Sequence, residues 1–214
     1  SARARELLLY LLAHREGRTR EQIGLDFWPE ASPAQVKNSF HVLLHRLRKA
    51  LGRADVVVLD ERYRVNPALT IWFDAEVFER LARKAGRDPR ALEEALALYR
   101  GDFLESEEAG DWHVAMRERL RLRLKDVLST LAEVHLARGD AAAAAGILER
   151  AVRVDDLSEE VWRRLMVALA RAGHRERALK AYERLARWLE KELDAAPEAA
   201  TVALGRKLKR GEAV

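Results

Sequence analysis

The residues best suited to chemistry lie in one stretch, SPAQVKNSFHVLLHRLRKALG, between Ser32 and Gly52. At helical spacing Val36, Phe40, Leu43, Leu44, Leu47 and Leu51 form a single apolar stripe, which leaves Lys37, Asn38, His41, His45, Arg48 and Lys49 on the opposite side. Side chains of this kind suit the edges of base pairs. Asn pairs bidentately with adenine, Arg or Lys with guanine, and His reaches either a base or a phosphate. His41 and His45 also have the i, i+4 spacing that can place two imidazoles on one metal. With no intervening Glu, no third ligand nearby and no Cys in the chain, neither a metal site nor a cofactor is expected. Catalysis has no support either: no Ser/His/Asp order, glycine-rich phosphate loop or isolated carboxylate pair stands out. The many Glu and Arg of the second half suit helix-surface ion pairs. His113, His135 and His174 are expected to be packing or surface residues, and Trp112, Trp162 and Trp188 core.

The elements that must position this face have clear punctuation. Leu7, Leu8, Leu11 and Leu12 predict a first helix over Arg5 to Arg15, stopped by Gly17. Thr19 with Gln22 has the spacing of a capping box and starts a second helix that runs to about Trp28 and Pro29. Ser32 as cap, Pro33 in the first helical position and Gln35 completing the box start the third, and Gly52 ends it. Val56 to Leu59 and Arg62 to Val65 follow as short β-prone runs joined at Asp60-Glu61. Three helices and a hairpin in this order predict a winged helix. If Tyr63 and Val65 face its core, Arg62 and Arg64 face outward, either to a minor groove or phosphate or simply to water. Arg18, Thr19 and Arg20 could hold a phosphate at the second helix's N-terminus, although plain capping accounts for Thr19 as well.

Charge supports the same surface. The formal excess is +4 over 214 residues. Ser1 to Asn66 holds 12 basic against 8 acidic residues, and the remainder is balanced at 27 against 27. No acidic residue lies between Glu30 and Asp55, where Lys37, Arg46, Arg48, Lys49 and Arg53 are all basic. A one-sided basic stretch is what a phosphate-binding surface requires.

Pro67 to Phe73 reads as a joint, with Ile71, Trp72 and Phe73 apolar enough to be wedged between modules. From Asp74 onward the pattern is helical, with cap signals at Asp74, at Asp88 before Pro89, and at Ser158. Gly139 and Gly173 are 34 residues apart, and at that offset Leu131 meets Leu165, Ala144 meets Ala178, and Leu148 meets Tyr182. That is the tetratricopeptide period. A weaker third copy centres on Gly86, with Ala91 and Ala95, set apart by an insertion around Tyr99 to Arg119. Stacked helix pairs leave a groove that binds peptide segments or is filled by the protein itself. The absence of cysteine fits a reducing cytoplasm, and no apolar run approaches a membrane span.

Several motifs at consistent distances carry a resemblance: FWPEASP, RLRKALG, RYRV, FDAEVFERL, YRGDFLE, and LMVALARAGHRERALKAYERLARWLEKELDAAPE. Together they resemble the Streptomyces antibiotic regulatory proteins, in which an OmpR-type winged helix is followed by a bacterial transcriptional activator domain. The resemblance implies a mainly α fold: a winged helix-turn-helix with a C-terminal β-hairpin over 1–66, a joint over 67–73, and an all-α, TPR-like repeat domain over 74–214. It implies a DNA-binding transcriptional activator of the bacterial cytoplasm, nucleoid-associated when bound, whose partners are double-stranded DNA, RNA polymerase and a second copy of itself. Lys37, Asn38, His41 and His45 fall where the family's helix faces the groove, with Arg46, Arg48 and Lys49 nearer the backbone. The family's small N-terminal sheet has no counterpart before the first helix here, so the sequence is expected to be either the C-terminal output part of a larger regulator or a shortened variant of the domain. The rival expectation is a TPR-type interaction module whose winged helix does not read DNA.

Overall fold

The structure, a computed structural model, describes residues 1–105 and 110–214, so part of the insertion expected at Tyr99 to Arg119 lies outside the described residues. The chain folds into two compact units, Ser1–Glu76 with Gly101–Leu120, and Val77–Arg100 with Arg121–Val214.

In the first unit the expected capping signals decide where helices begin. Helix α1 (Ala2–Ala13) starts three residues earlier than its apolar spacing suggests, because Ser1 caps it by accepting from the Ala4 amide. Helix α2 (Arg20–Phe27) has both halves of its box: the Gln22 amide donates to Thr19 Oγ1 at 3.2 Å and the Thr19 amide to Gln22 Oε1 at 3.0 Å. Helix α3 (Pro33–Leu51) repeats this with Ser32 and Gln35 and ends on Gly52 in the left-handed conformation, φ 64°. Strands β1 (Val57–Asp60) and β2 (Arg62–Val65) pair antiparallel, Val57 opposite Val65 and Asp60 opposite Arg62. The turn is therefore tighter than expected, with Glu61 alone at its apex at φ 58° and β1 displaced by one residue. Arg18 exchanges two backbone hydrogen bonds with Tyr63, at 2.9 and 2.8 Å, and adds one rung to the hairpin.

Packing ties these elements together. Leu7, Tyr10 and Leu11 of α1 are inaccessible to solvent, as are Ile23 of α2 and Phe40 of α3. Gly24 lets α2 approach α3, since a β-carbon there would lie 2.7 Å from Val36 Cγ1. The Tyr10 hydroxyl donates to Asp26 at 2.6 Å, and burial together with that carboxylate pushes the phenol far above its ordinary range. Trp112 donates to Glu6 at 3.3 Å and meets Tyr10 edge to face at 5.2 Å. Phe73 is buried, but Trp72 is 66% exposed; it is not the wedge its apolar character suggests.

The second unit contains most of α4 (Asp74–Lys84) and α6 (Val114–Ala137), with α5 (Pro89–Leu98), α7 (Ala141–Val154), α8 (Glu159–Arg171), α9 (Arg175–Leu193) and α10 (Ala199–Arg210). Asp88, Asp140 and Ser158 cap α5, α7 and α8. Gly139 and Gly173 close α6 and α8 at φ 78° and 82°. Each opens a tight turn into the next helix, so α6–α7 and α8–α9 are successive helical hairpins. Ala144 and Ala178 are fully buried in one core with Leu148, Trp162 and Leu165, and Leu131 of α6 is buried as well. Sequence patterning gives no separate start for α10. It is held by tertiary contacts instead: the Glu159 carboxylate accepts from the Glu198 amide and from the buried Thr201 hydroxyl, and Arg163 bridges Glu198 and Thr201.

Two glycines in helices should behave oppositely. A β-carbon at Gly205 of α10 would lie 2.6 Å from the Tyr182 ring, whereas one at Gly146 of α7 meets nothing within 4 Å. Gly205→Ala is expected to destabilise by about 1–3 kcal/mol through overpacking. Gly146→Ala is expected to stabilise by about 0.5–1 kcal/mol. Urea unfolding of both variants checks the pair, and equal signs would refute the packing. The raised Tyr10 phenol keeps its proton longer in the folded than in the unfolded chain. Its contribution is therefore complete below the ordinary tyrosine value of 10.0 and lost as pH rises beyond it. Tyr10→Phe should flatten that alkaline loss in denaturant midpoints measured across the range.

Candidate nucleic-acid interface

Helix α3 turns its apolar stripe inward: Val36, Phe40, Leu43, Leu44 and Leu47 are buried. At about 100° per residue, the direction opposite that stripe is occupied by Ala34, Asn38, His45 and Lys49, with His41 and Val42 on either side. All six are exposed, as are Lys37 and Arg46 on the flanks. The four residues expected to face a groove therefore share one open surface. None of Lys37, Asn38, His41 or His45 has a hydrogen-bonded or ion-paired side-chain partner among the described residues. Sequence patterning missed Val42, which is half exposed in this polar strip. Its signal was an apolar residue lying off the buried stripe.

The hairpin flanks this helix. Tyr63 packs edge to face on Phe40 with ring centroids 4.5 Å apart, and Val65 is buried, so β2 turns its odd-numbered side chains inward. Arg62 is exposed and Arg64 half-buried on the other face. Arg64 donates to Asp60 at 2.9 Å, a partly exposed pair of the kind worth about 0–1 kcal/mol and readily exchanged for another anion. Arg48 differs from its neighbours. It is half-buried, and its Nη2 donates to the Val57 carbonyl at 2.9 Å, which ties the last turn of α3 to β1. Arg46 and Lys49 are open to solvent.

The N-terminus of α2 presents a mixed picture. The Thr19 hydroxyl is occupied by the capping box, Arg20 lies 3.5 Å from Glu21, and Arg18 lies 3.8 Å from Glu16. Nε of Arg18, Arg48 and Arg64 is buried without a hydrogen-bond partner in the structure. No group of three or more His, Cys, Asp or Glu among the described residues is arranged to hold a metal ion, and no helix among them is long and apolar enough to cross a membrane. His113 is buried, with Nδ1 on the Gly110 carbonyl, whereas His174 is exposed at the start of α9.

The model of the bacterial transcriptional activator domain matches residues 73–209. No curated protein matches the chain. Among solved structures it is similar to Mycobacterium tuberculosis EmbR in complex with low affinity phosphopeptide, at 23% identity and a TM-score of 0.72. That match covers all of this chain and 60% of the other, and the likeness is one of fold.

The tie from Arg48 to Val57 generates a prediction about the hairpin. Arg48→Ala should leave α3 in place but lower stability by about 1 kcal/mol and speed amide exchange at Val57 to Val65. Hydrogen exchange read by NMR checks it; unchanged protection along β1 and β2 would show that the tie does not hold the hairpin.

Proposed function

The chain belongs to the family of the bacterial transcriptional activator domain, and from that membership we propose that it is a sequence-specific regulator of transcription, an activator, that binds double-stranded DNA. In this proposal residues 1–66 are a winged helix of the OmpR type, 67–73 a joint, and 74–214 a TPR-like domain, as in the Streptomyces antibiotic regulatory proteins. Its setting would be the bacterial cytoplasm, on the nucleoid when bound.

The observation that carries the proposal is the exposed strip on α3. Asn38, His41 and His45 stand along its open side with Lys37 beside them, and no acidic residue lies between Glu30 and Asp55 to repel phosphate. A major groove is wide enough for a helix, and its base edges carry a full donor and acceptor code. Lys37, Asn38, His41 and His45 would read bases. Val42 would supply an apolar contact of the kind that a thymine methyl accepts. Arg46 and Lys49 would hold phosphates on either side, and Arg62 and Arg64 would do so from the hairpin. Arg18, Thr19 and Arg20 would contribute at the N-terminus of α2. Arg48 would act indirectly, by fixing the hairpin against the reading helix. The helical repeats would provide the surface for self-association or for RNA polymerase, partners that rest on the family resemblance.

Selection from a random duplex pool tests the main point, because an interaction module that does not read DNA would enrich no sequence. Asn38→Ala should relax preference at particular base pairs, whereas Lys49→Ala should weaken binding to all sequences alike. With about four to six phosphates neutralised, log affinity should fall against log salt with a slope of roughly −4 to −5. Uniform loss in both variants would refute the division between readers and anchors, and salt-independent affinity would refute the phosphate contacts.

A further inference from the structure

The six histidines of the chain differ in what surrounds them. His14 has its Nδ1 on the Tyr10 carbonyl at 2.8 Å and its ring against that of Tyr10. His113 is buried with Nδ1 on the Gly110 carbonyl. His135 lies between two carboxylates, Glu93 at 3.8 Å and Asp140 at 3.5 Å, and His174 is exposed at the start of α9. His41 and His45 form a pair of another kind. They are exposed one helical turn apart on the open side of α3, and neither has a hydrogen-bonded or ion-paired partner among the described residues.

The charged groups around this pair are mostly cations. Helix α3 contains no acidic residue; Lys37 lies one turn before His41, Lys49 one turn after His45, and Arg46 beside them, while Arg48 is turned to the Val57 carbonyl. The carboxylates of the elements packed on α3 are engaged within those elements. On α1 Glu6 pairs with Arg3 at 2.7 Å, and on α2 Glu21 lies 3.5 Å from Arg20 while Asp26 accepts from the Tyr10 hydroxyl. In the hairpin Asp60 pairs with Arg64 at 2.9 Å, Tyr63 packs on Phe40, and Glu61 and Arg62 are exposed at and beside the apex. Histidine is the side chain whose ordinary titration falls between about pH 5 and 8. A proton turns its ring from a neutral donor and acceptor into a cation with donors on both nitrogens. A phosphate backbone lying along α3 would bring that cation an anionic partner.

We infer that duplex binding on the α3 face takes up protons on His41 and His45, so that affinity for DNA rises as pH falls through the imidazole range. The inference rests on the proposal that α3 lies against a duplex, and it makes that surface responsive to acid. Its sign follows from charge. The protonated face brings up to two further positive charges to the same phosphates, so protons and DNA each strengthen the other's binding. Above the imidazole range both rings are neutral in the complex and that contribution is lost. The response requires no movement of the fold, because both side chains already stand on the open side of the helix.

The test uses the full chain, fluorescent duplexes carrying the selected site or a scrambled one, and the double variant His41→Gln, His45→Gln, whose amides still form hydrogen bonds but take up no proton. Both side chains are exposed, so the variant should keep its helical circular dichroism and unfolding midpoint. The parent is expected to bind the selected site about tenfold more tightly at about pH 5.5 than at about pH 8, in about 0.1 M salt. Its log-log salt slope should be steeper by about 1–2 at the lower pH. In the variant both differences should disappear. A parent that prefers the selected site but binds it equally at both pH values would overturn the inference and leave the α3 proposal standing. A variant that keeps the full pH response would overturn it as well, because the protons would then be taken up elsewhere in the chain. If the parent does not prefer the selected site over the scrambled one at either pH, the α3 proposal falls and the inference falls with it.

Discussion

The rotational setting of α3 is the constraint on which the rest of the first unit depends. Five apolar side chains, Val36, Phe40, Leu43, Leu44 and Leu47, are withdrawn from water on the side of α3 that meets α1 and α2, with Tyr63 of the hairpin packed on Phe40. Fully burying a side chain of this size is worth about 1.5–3 kcal/mol, so the stripe as a whole outweighs any preference of the polar residues. Rotating the helix by one residue would expose leucines and bury a histidine or a lysine. The outward direction of Asn38, His41 and His45 is thus a by-product of the core. Those side chains do not hold the helix in place and are free to be chosen for what they contact.

A similar separation operates in the second unit. Where helices must approach closely the chain has Ala144, Ala178 and Gly205, and where space must be filled it has Leu148, Trp162 and Tyr182. The final helix is fastened by a different device. Thr201 is completely buried, which is tolerable only because its hydroxyl both donates to Glu159 and accepts from Arg163. Arg175 from α9 completes the fastening by donating to the carbonyls of Leu208 and Lys209 at the end of α10. Ends of helices that the sequence leaves uncapped are satisfied by partners from elsewhere in the fold.

That contrast explains how much was legible in the sequence. Thr19, Ser32, Asp88 and Ser158 act on amides two or three residues away, so spacing alone identifies them. The open side of α3 was legible for the same reason, since a helix fixes which residues share a face. The tie from Arg48 to Val57 was not, because it depends on where the hairpin lands and not on any local pattern. Nor was the exposure of Trp72, whose character says only that it prefers burial, not that a partner exists. Strand β1 lies one residue later than its β-prone run because Asp60-Glu61 carries no turn signature, and Glu61 alone takes the left-handed position.

Charge is the property least visible in segment sums, because a sum averages over distances at which exposed charges no longer act on one another. The excess of basic residues lies before Asn66 and none follows it, because the later helices carry acids beside their bases, as Glu79, Asp88, Glu93 and Glu94 do around the α4–α5 turn. A partner does not respond to the sum. Screening confines the field of an exposed charge to about 8–10 Å at ordinary salt, so what a phosphate meets is set by the few cations within that distance and by whether they are already paired. The helix dipole then sorts those cations. Ones in a last turn, such as Arg48 and Lys49 on α3 or Arg83 and Lys84 on α4, are partly accounted for by the helix they end. A cation such as Arg90, in the first turn of α5, is set against the dipole, and the nearest acids along that helix are Glu93 and Glu94.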